Sequence, residues 1–241
     1  MSRKVPTPLS FERPLTGVDL VIFTVRNDVL HVLLTQRPDG PNEPCPGLWA
    51  LPGGFIDVER DSSLEACARR KLAEKTGVAS PYLEQLGSWG GNARDPRGWS
   101  ATHVYFALMP SEGIEPKAGG RATDARWHPV CDHGVREKLA FDHAEILAAA
   151  IERLRGKVEY TSLPAFLLPE EFTLSELQHV YEIVLDRPLN KSAFRTRVRD
   201  ADLIVEVPRQ RSGANRPAQL YRLKDRRHPV FFPRTFSPRG D

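Results

Sequence analysis

No stretch of this chain approaches the ~18 consecutive apolar residues that a membrane helix needs. Its longest apolar clusters, such as Val18 to Val25, are strand-sized and interrupted. Met1-Ser-Arg-Lys-Val-Pro lacks the apolar core of a secretory signal, so a cytoplasmic location, with no membrane partner, is the expectation. Cysteine is scarce: Cys45, Cys67 and Cys131 are odd in number, isolated and outside any CxxC pattern. That spacing argues against a disulfide framework and against a cysteine-based zinc site. Internal repeats and low-complexity segments are missing as well. The 21 prolines and 17 glycines argue against a plain helical bundle. With 40% apolar and 27% charged residues over 241 positions, the chain is globular and long enough for two domains.

The net charge of +3 conceals a division. Between Arg187 and Arg239 stand fourteen Lys and Arg against four Asp and Glu, a balance of +10. Residues 1–186 carry a balance of −6. A near-neutral body with a basic C-terminal region suits a sensor attached to a nucleic-acid binder. A merely solubilising tail would lack the apolar spacing described next.

Val18–Val25 and Val29–Thr35 read as a hairpin across the turn Arg26-Asn-Asp28. A Pro- and Gly-rich loop, 38–47, precedes a strand and glycine turn, Trp49–Phe55. From Ser62 or Ser63 to Thr76 the pattern is helical: Leu64, Cys67, Ala68 and Leu72 share a face, and Gly77 stops it. Strands are expected at Thr102–Met109 and Ala125–Val130. A second helix is expected over Ala144–Arg155, capped by Asp142. This mixture predicts an α+β or α/β sandwich over the first 155 residues. A linker is expected over 156–171, and the second domain over 172–241. Thr173 with Glu176 resembles a capping box, Pro188 ends that helix, and 191–201 forms another. Ile204–Pro208 and Ala218–Leu223 read as strands around a polar loop. Helix, turn, helix, hairpin is the order of a winged helix-turn-helix.

The segment from Gly53 to Val78 resembles the Nudix box, G-x5-E-x7-R-E-U-x-E-E-x-G-U with U aliphatic, and the Leu-Pro-Gly-Gly-Phe lead-in also matches. The resemblance implies an α/β/α sandwich in which helix carboxylates hold divalent metal on a substrate diphosphate. This copy departs from the consensus. Arg70 and Glu74 match, but Lys71 and Lys75 stand where two carboxylates belong. The upstream Glu position holds Arg60 or Ser62, depending on the direction of counting, and Gly54 to Arg70 is two residues too long. Exchanging two carboxylates for ammoniums should repel Mg²⁺, while the ammoniums could neutralise a diphosphate directly. The expectation is a pocket that binds without hydrolysing, with no catalytic residue, no metal ligand and no cofactor. The loop Gly91-Asn-Ala-Arg-Asp-Pro-Arg-Gly-Trp99 resembles one carried by Nudix proteins that act on ADP-ribose. Arg94 and Arg97 suit phosphate, Asp95 ribose hydroxyls, and Trp99 base stacking. With Arg37, Phe55, Arg70, Lys71 and Glu74 these make up the expected effector site.

In the helix 191–201, Phe194, Val198 and Ala201 share one face, and Ser192, Arg195, Thr196 and Arg199 the opposite one, with Lys191 near the start. Arg can chelate guanine edges in the major groove while Ser and Thr hold phosphate. Arg209, Arg211 and Arg216 stand at the tip of the expected wing, where they suit the DNA backbone or a narrow minor groove.

Both halves together resemble the Nudix-related transcriptional regulators of NAD metabolism. Beyond the box the match runs through Leu139–Leu147, Phe172–Glu182 and Asn215–Arg222. The resemblance implies a homodimeric repressor of NAD biosynthesis or salvage genes. It would bind double-stranded operator DNA and sense ADP-ribose or a related nucleotide. Two other readings compete: an ADP-ribose pyrophosphatase that also binds DNA, and a winged helix that docks protein or RNA.

Overall fold

The computed structural model describes residues 13–77, 82–112, 114–212 and 217–232. The opening hairpin forms as expected, with β1 (Leu15–Arg26) and β2 (Val29–Gln36) antiparallel about Asn27 and Asp28, both at positive φ. β3 (Trp49–Ala50) pairs with β2, and β4 (Gly53–Phe55) with β1. β5 (Tyr82–Gly91) and β6 (Ser100–Leu108) are antiparallel, and β6 lies parallel to β1. β7 (Asp124–Pro129) completes the sheet along β2. The central order is β3-β2-β1-β6-β5. The strand β5 is missing from the sequence reading. It lies at the sheet's edge, carries three glycines and exposed Gln85 and Ser88, and contains a register shift between Gln85 and Gly87, so its alternation is weak.

Alternation along β1 builds two cores. Val18, Leu20 and Ile22 face α1 (Leu64–Thr76), packing with Cys67, Ala68 and Leu72. Val21 and Phe23 face the other way, toward α2 (His143–Val158). Helices on both faces of one sheet make the expected α/β/α sandwich. Ser63 caps α1 by accepting from the Ala66 N–H at 3.0 Å, and Gly77 closes it at φ 74°. Asp142 precedes α2 but makes no side-chain cap; its carboxylate is taken by Arg94.

The winged module follows: α3 (Leu174–Leu185), α4 (Lys191–Asp200), and a hairpin of β8 (Ile204–Arg211) and β9 (Ala218–Leu223). Thr173 and Glu176 form the capping box, and Asn190 caps α4. The stretch 156–171, read as a linker, is packed. Its apolar run forms a 3-10 turn, Leu163–Leu167, whose five side chains are all buried. One core runs from Val21 and Phe106 through Phe166 to Leu177, Phe194 and Val198. A run of that apolarity cannot remain in water as a tether. Residues 230–232 also fold back, with the Phe232 N–H donating to the Tyr160 carbonyl at 2.8 Å. No helix among the described residues is long and apolar enough to cross a membrane.

Candidate effector pocket and nucleic-acid interface

The strand ends of β1, β2, β4 and β6, one face of α1, the start of α2 and three loops line a cavity of about 400 Å³. Of the expected effector residues, Arg37, Phe55, Lys71, Glu74, Arg94, Asp95 and Arg97 line it. Arg70 and Trp99 do not. Arg70 turns to Asp61, donating from Nε and Nη2 at 2.7 Å each, and from Nη1 to Glu74 at 3.0 Å. The hydrogen bond from Arg70 holds the Asp61 carboxyl well below the usual carboxylate range. Trp99 is half-exposed, with its ring edge over Gly90 on β5.

Most of the arginines in the pocket are already neutralised by carboxylates. Arg94 donates to both oxygens of Asp142, at 2.8 and 2.9 Å. Arg97 grips Asp95 at 2.9 and 2.7 Å, and the Arg97 N–H donates to the same carboxylate at 3.0 Å. Those bonds hold Asp95 below its ordinary value, and its side chain is buried. The Arg97 guanidinium also lies 5.1 Å from the centre of the exposed Phe55 ring. Arg37 donates to Glu43 at 3.0 Å and stacks on Phe141, and Arg121 reaches the same Glu43 from the far loop.

The two box lysines behave differently. Lys75 is tied to the carbonyls of Ala118 and Gly119, the latter at 2.8 Å. Burial pushes its pKa below the ordinary lysine value, so Lys75 braces a loop instead of facing a ligand. Lys71 is buried, and its ammonium would stand 3.0 Å from a Cβ at Gly54, whose φ of 141° suits glycine. Lys71 forms no ion pair or hydrogen bond with a described residue. It is thus a cation over a glycine turn, open to the cavity.

The Nudix box implies divalent metal, but the donors present do not fit one. Glu74 is engaged by Arg70, with Arg60 at 3.9 Å, and a lysine occupies the adjoining position. Among the described residues no three His, Cys, Asp or Glu side chains converge to hold an ion.

Sequence reasoning missed Asp19 and His143, both in the cavity wall. The Leu51 N–H donates to His143 Nδ1 at 2.9 Å, and Nε2 faces Asp19 at 3.7 Å. Burial lowers the His143 pKa, against the pull of Asp19 and Asp142. His143 falls within the 139–147 stretch already singled out, but only the folded strand ends bring Asp19 to it.

On the second module Lys191, Ser192, Arg195, Thr196 and Arg199 are all exposed, opposite buried Phe194 and Val198. Arg195 has no ion pair with a described residue, whereas Arg199 has Thr196 Oγ1 at 3.4 Å and Asp200 at 3.8 Å. Arg209 pairs with Glu171, and Arg211 with the capping-box Glu176. Arg216 lies outside the described residues. Arg197, not singled out from sequence, donates to the Glu159 carbonyl at 2.7 Å and covers Phe232, bracing α4 against the end of α2.

A Nudix sandwich with a basic winged helix on one core defines a class: a nucleotide-pocket domain fused to a DNA-reading fold. Residues 15–150 match the NUDIX domain, and residues 164–223 match the NrtR DNA-binding winged helix domain. The chain belongs to the Nudix family, in its NrtR-type form with that winged helix. It is 44% identical over 224 residues to the ADPR responsive transcriptional repressor NtrR of Acinetobacter baylyi, covering 93% of this chain and 88% of the relative. Shewanella oneidensis NrtR, crystallised with a 27mer DNA, is 45% identical with a TM-score of 0.80, covering 92% of this chain and 99% of that one. The NUDIX domain of the same Shewanella protein, crystallised with ADP ribose, is 46% identical with a TM-score of 0.55, covering 62% of this chain and 94% of that one.

Proposed function

We propose that this protein is a DNA-binding transcriptional repressor that releases operator DNA when ADP-ribose, or a close relative of it, fills the Nudix pocket. The carrying observation is the Lys71 ammonium, buried over Gly54 without a counter-charge among the described residues. It offers a diphosphate the positive charge that a hydrolase would obtain from metal. The arrangement supports binding without turnover, and the effector serves as a signal rather than a substrate. Arg97 and Phe55 frame the mouth of the pocket. Arg195, exposed on its helix and without an ion pair among the described residues, supports major-groove reading, and the wing arginines support backbone contact. The relatives' names carry the same pairing of ADP-ribose response, repression and DNA binding.

The protein acts as a homodimer, since modules of this kind read half-sites related by a twofold axis about one helical turn apart. The genes it controls are those of NAD synthesis or salvage, a reading that rests on the family resemblance. The test is a gel shift on the promoters of its own and neighbouring genes, with and without ADP-ribose. A retarded band that ADP-ribose disperses is expected. Failure to bind any of these promoters, or a band indifferent to ADP-ribose, would overturn the reading.

A further inference from the structure

The helix α2 starts at the effector pocket and ends against α4. Its first residue, His143, is pocket wall and accepts the Leu51 N–H at 2.9 Å. The preceding Asp142 accepts from Nε and Nη2 of Arg94. From there 16 residues rise roughly 24 Å to Val158. Ile146, Leu147, Ala150, Ile151 and Leu154 are fully buried along the way, so close packing holds α2 as a rod.

At its far end α2 meets the winged module through arginines. Arg155 Nε donates to the Val184 carbonyl of α3 at 3.3 Å. Arg187, just past α3, donates to Glu159 Oε1 at 2.8 Å. Arg197 belongs to α4, and its Nη2 donates to the Glu159 carbonyl at 2.7 Å. Glu159 is the C-cap of α2, where carbonyls outnumber helical donors and the helix dipole favours a cation. The same guanidinium lies 4.7 Å from the centre of the Phe232 ring, and Phe232 is itself tied to the Tyr160 carbonyl.

Helical geometry sets Arg197 apart from the residues proposed to meet DNA. Arg195 and Arg199, four apart, share the outward face, and Arg197 midway between them falls on the other side. Buried Phe194 and Val198 also hold α4, but apolar contact is non-directional. The directed bond from Arg197 therefore fixes the angle of α4 against α2. Beside this joint is a cavity of about 200 Å³, lined by residues that include Val158, Glu159, Leu185, Phe194, Arg197 and Phe232. Solid packing resists displacement; here α4 has room to shift.

We propose that Arg197 is the positioning residue that carries the effector signal to DNA: it fixes α4 to one end of α2, and the filled pocket moves α2 at the other. The inference rests on the repressor reading above. A ligand changes DNA affinity only by favouring one placement of α4 over another. The lever is α2, because its first residue is pocket wall and its C-cap is the seat of Arg197.

The test is operator titration of the full-length protein, Arg197→Met and Arg197→Lys, with and without saturating ADP-ribose. Calorimetric titration of ADP-ribose alone accompanies it, and should give the parent's affinity in both variants, since Arg197 lies outside the pocket. ADP-ribose should loosen the parent's grip on DNA roughly 5- to 150-fold. That factor should fall to within about twofold of one in Arg197→Met. Arg197→Lys, which keeps a donor for the carbonyl, should retain most of it. Should Arg197→Met fail to fold, Phe232→Leu, which removes the ring beside the guanidinium, decides in its place by a severalfold fall in the factor. A residue with a merely structural role would weaken DNA binding equally in both ligand states. That result overturns the proposal and leaves the effector reading standing, as does a kept factor with a salt slope lowered by about one, the mark of a phosphate contact. If the parent itself is indifferent to ADP-ribose, the effector reading falls and takes the coupling with it.

Discussion

Arg94 donates from Nε and Nη2 to the two oxygens of Asp142, at 2.8 and 2.9 Å, and so joins the loop after β5 to the first residue before α2. The bond explains why Asp142 leaves the N-terminus of α2 without a side-chain cap. It also makes Arg94 part of the pocket wall rather than a free phosphate ligand.

Arg94→Met is therefore expected to cost about 1–3 kcal/mol of folding stability, because it leaves Asp142 partly buried without its donors. Denaturant unfolding of parent and variant measures this. A change within a few tenths of a kcal/mol would mean that the pair contributes nothing.

With Lys71 in the box and Glu74 held by Arg70, the purified protein is expected not to hydrolyse ADP-ribose measurably with Mg²⁺ or Mn²⁺. Product assays by chromatography would show it. Substantial turnover that disappears in Glu74→Gln would restore the enzyme reading.

The interface arginines should separate by their present partners. Arg195→Ala is expected to cost ~1–3 kcal/mol and to relax preference at one base position. Arg211→Ala should weaken binding evenly across sequences and reduce its salt dependence by less than one full phosphate contact, because Glu176 already holds that guanidinium. Operator titrations at several salt concentrations distinguish the two. Parent-like binding by both variants would misplace the interface.

ADP-ribose and operator should oppose each other through the shared core. A coupling of ~1–3 kcal/mol loosens DNA binding roughly 5- to 150-fold, and DNA must weaken ADP-ribose by the same factor. Lys71→Met should blunt the response in both directions. Paired titrations check this, and unchanged affinities despite demonstrable binding of each ligand would remove the sensor mechanism.

Burial lowers the His143 pKa below the ordinary 6.5, so the unfolded chain binds this proton more readily than the folded one. The ring's contribution is fully present above that pH and is lost as pH falls from 6.5 toward the folded value. The stability slope should reach up to about 1.4 kcal/mol per pH unit in that window. His143→Gln should flatten it, as urea unfolding at pH 7.5 and 5.5 would show.

The two-module order, the hairpin at Asn27 and Asp28, α1 with its Gly77 stop and a cap among Asp61, Ser62 and Ser63, and the Thr173–Glu176 capping box were all legible in the sequence. Each is a local device, set by neighbours within four residues or by a period of 2 or 3.6. The basic face of α4 was legible for the same reason. β5 was not, because an edge strand with three glycines buries one face only in part and leaves little alternation to read.

The sequence by itself determined which residue types reach the site: arginines in the 94–97 loop, lysines where carboxylates belong, and no cluster of acids on α1. Only the tertiary structure decided which of those charges remain free. Arg94, Arg97 and Arg37 are spent on Asp142, Asp95 and Glu43, Lys75 on two carbonyls, and the 156–171 stretch on a common core. Lys71 has no ion pair or hydrogen bond among the described residues, and Asp19 keeps only longer contacts, 3.7 Å to Arg94 and to His143. Pairing energy depends on separation and burial, and neither exists along the chain until strands distant in sequence are brought side by side.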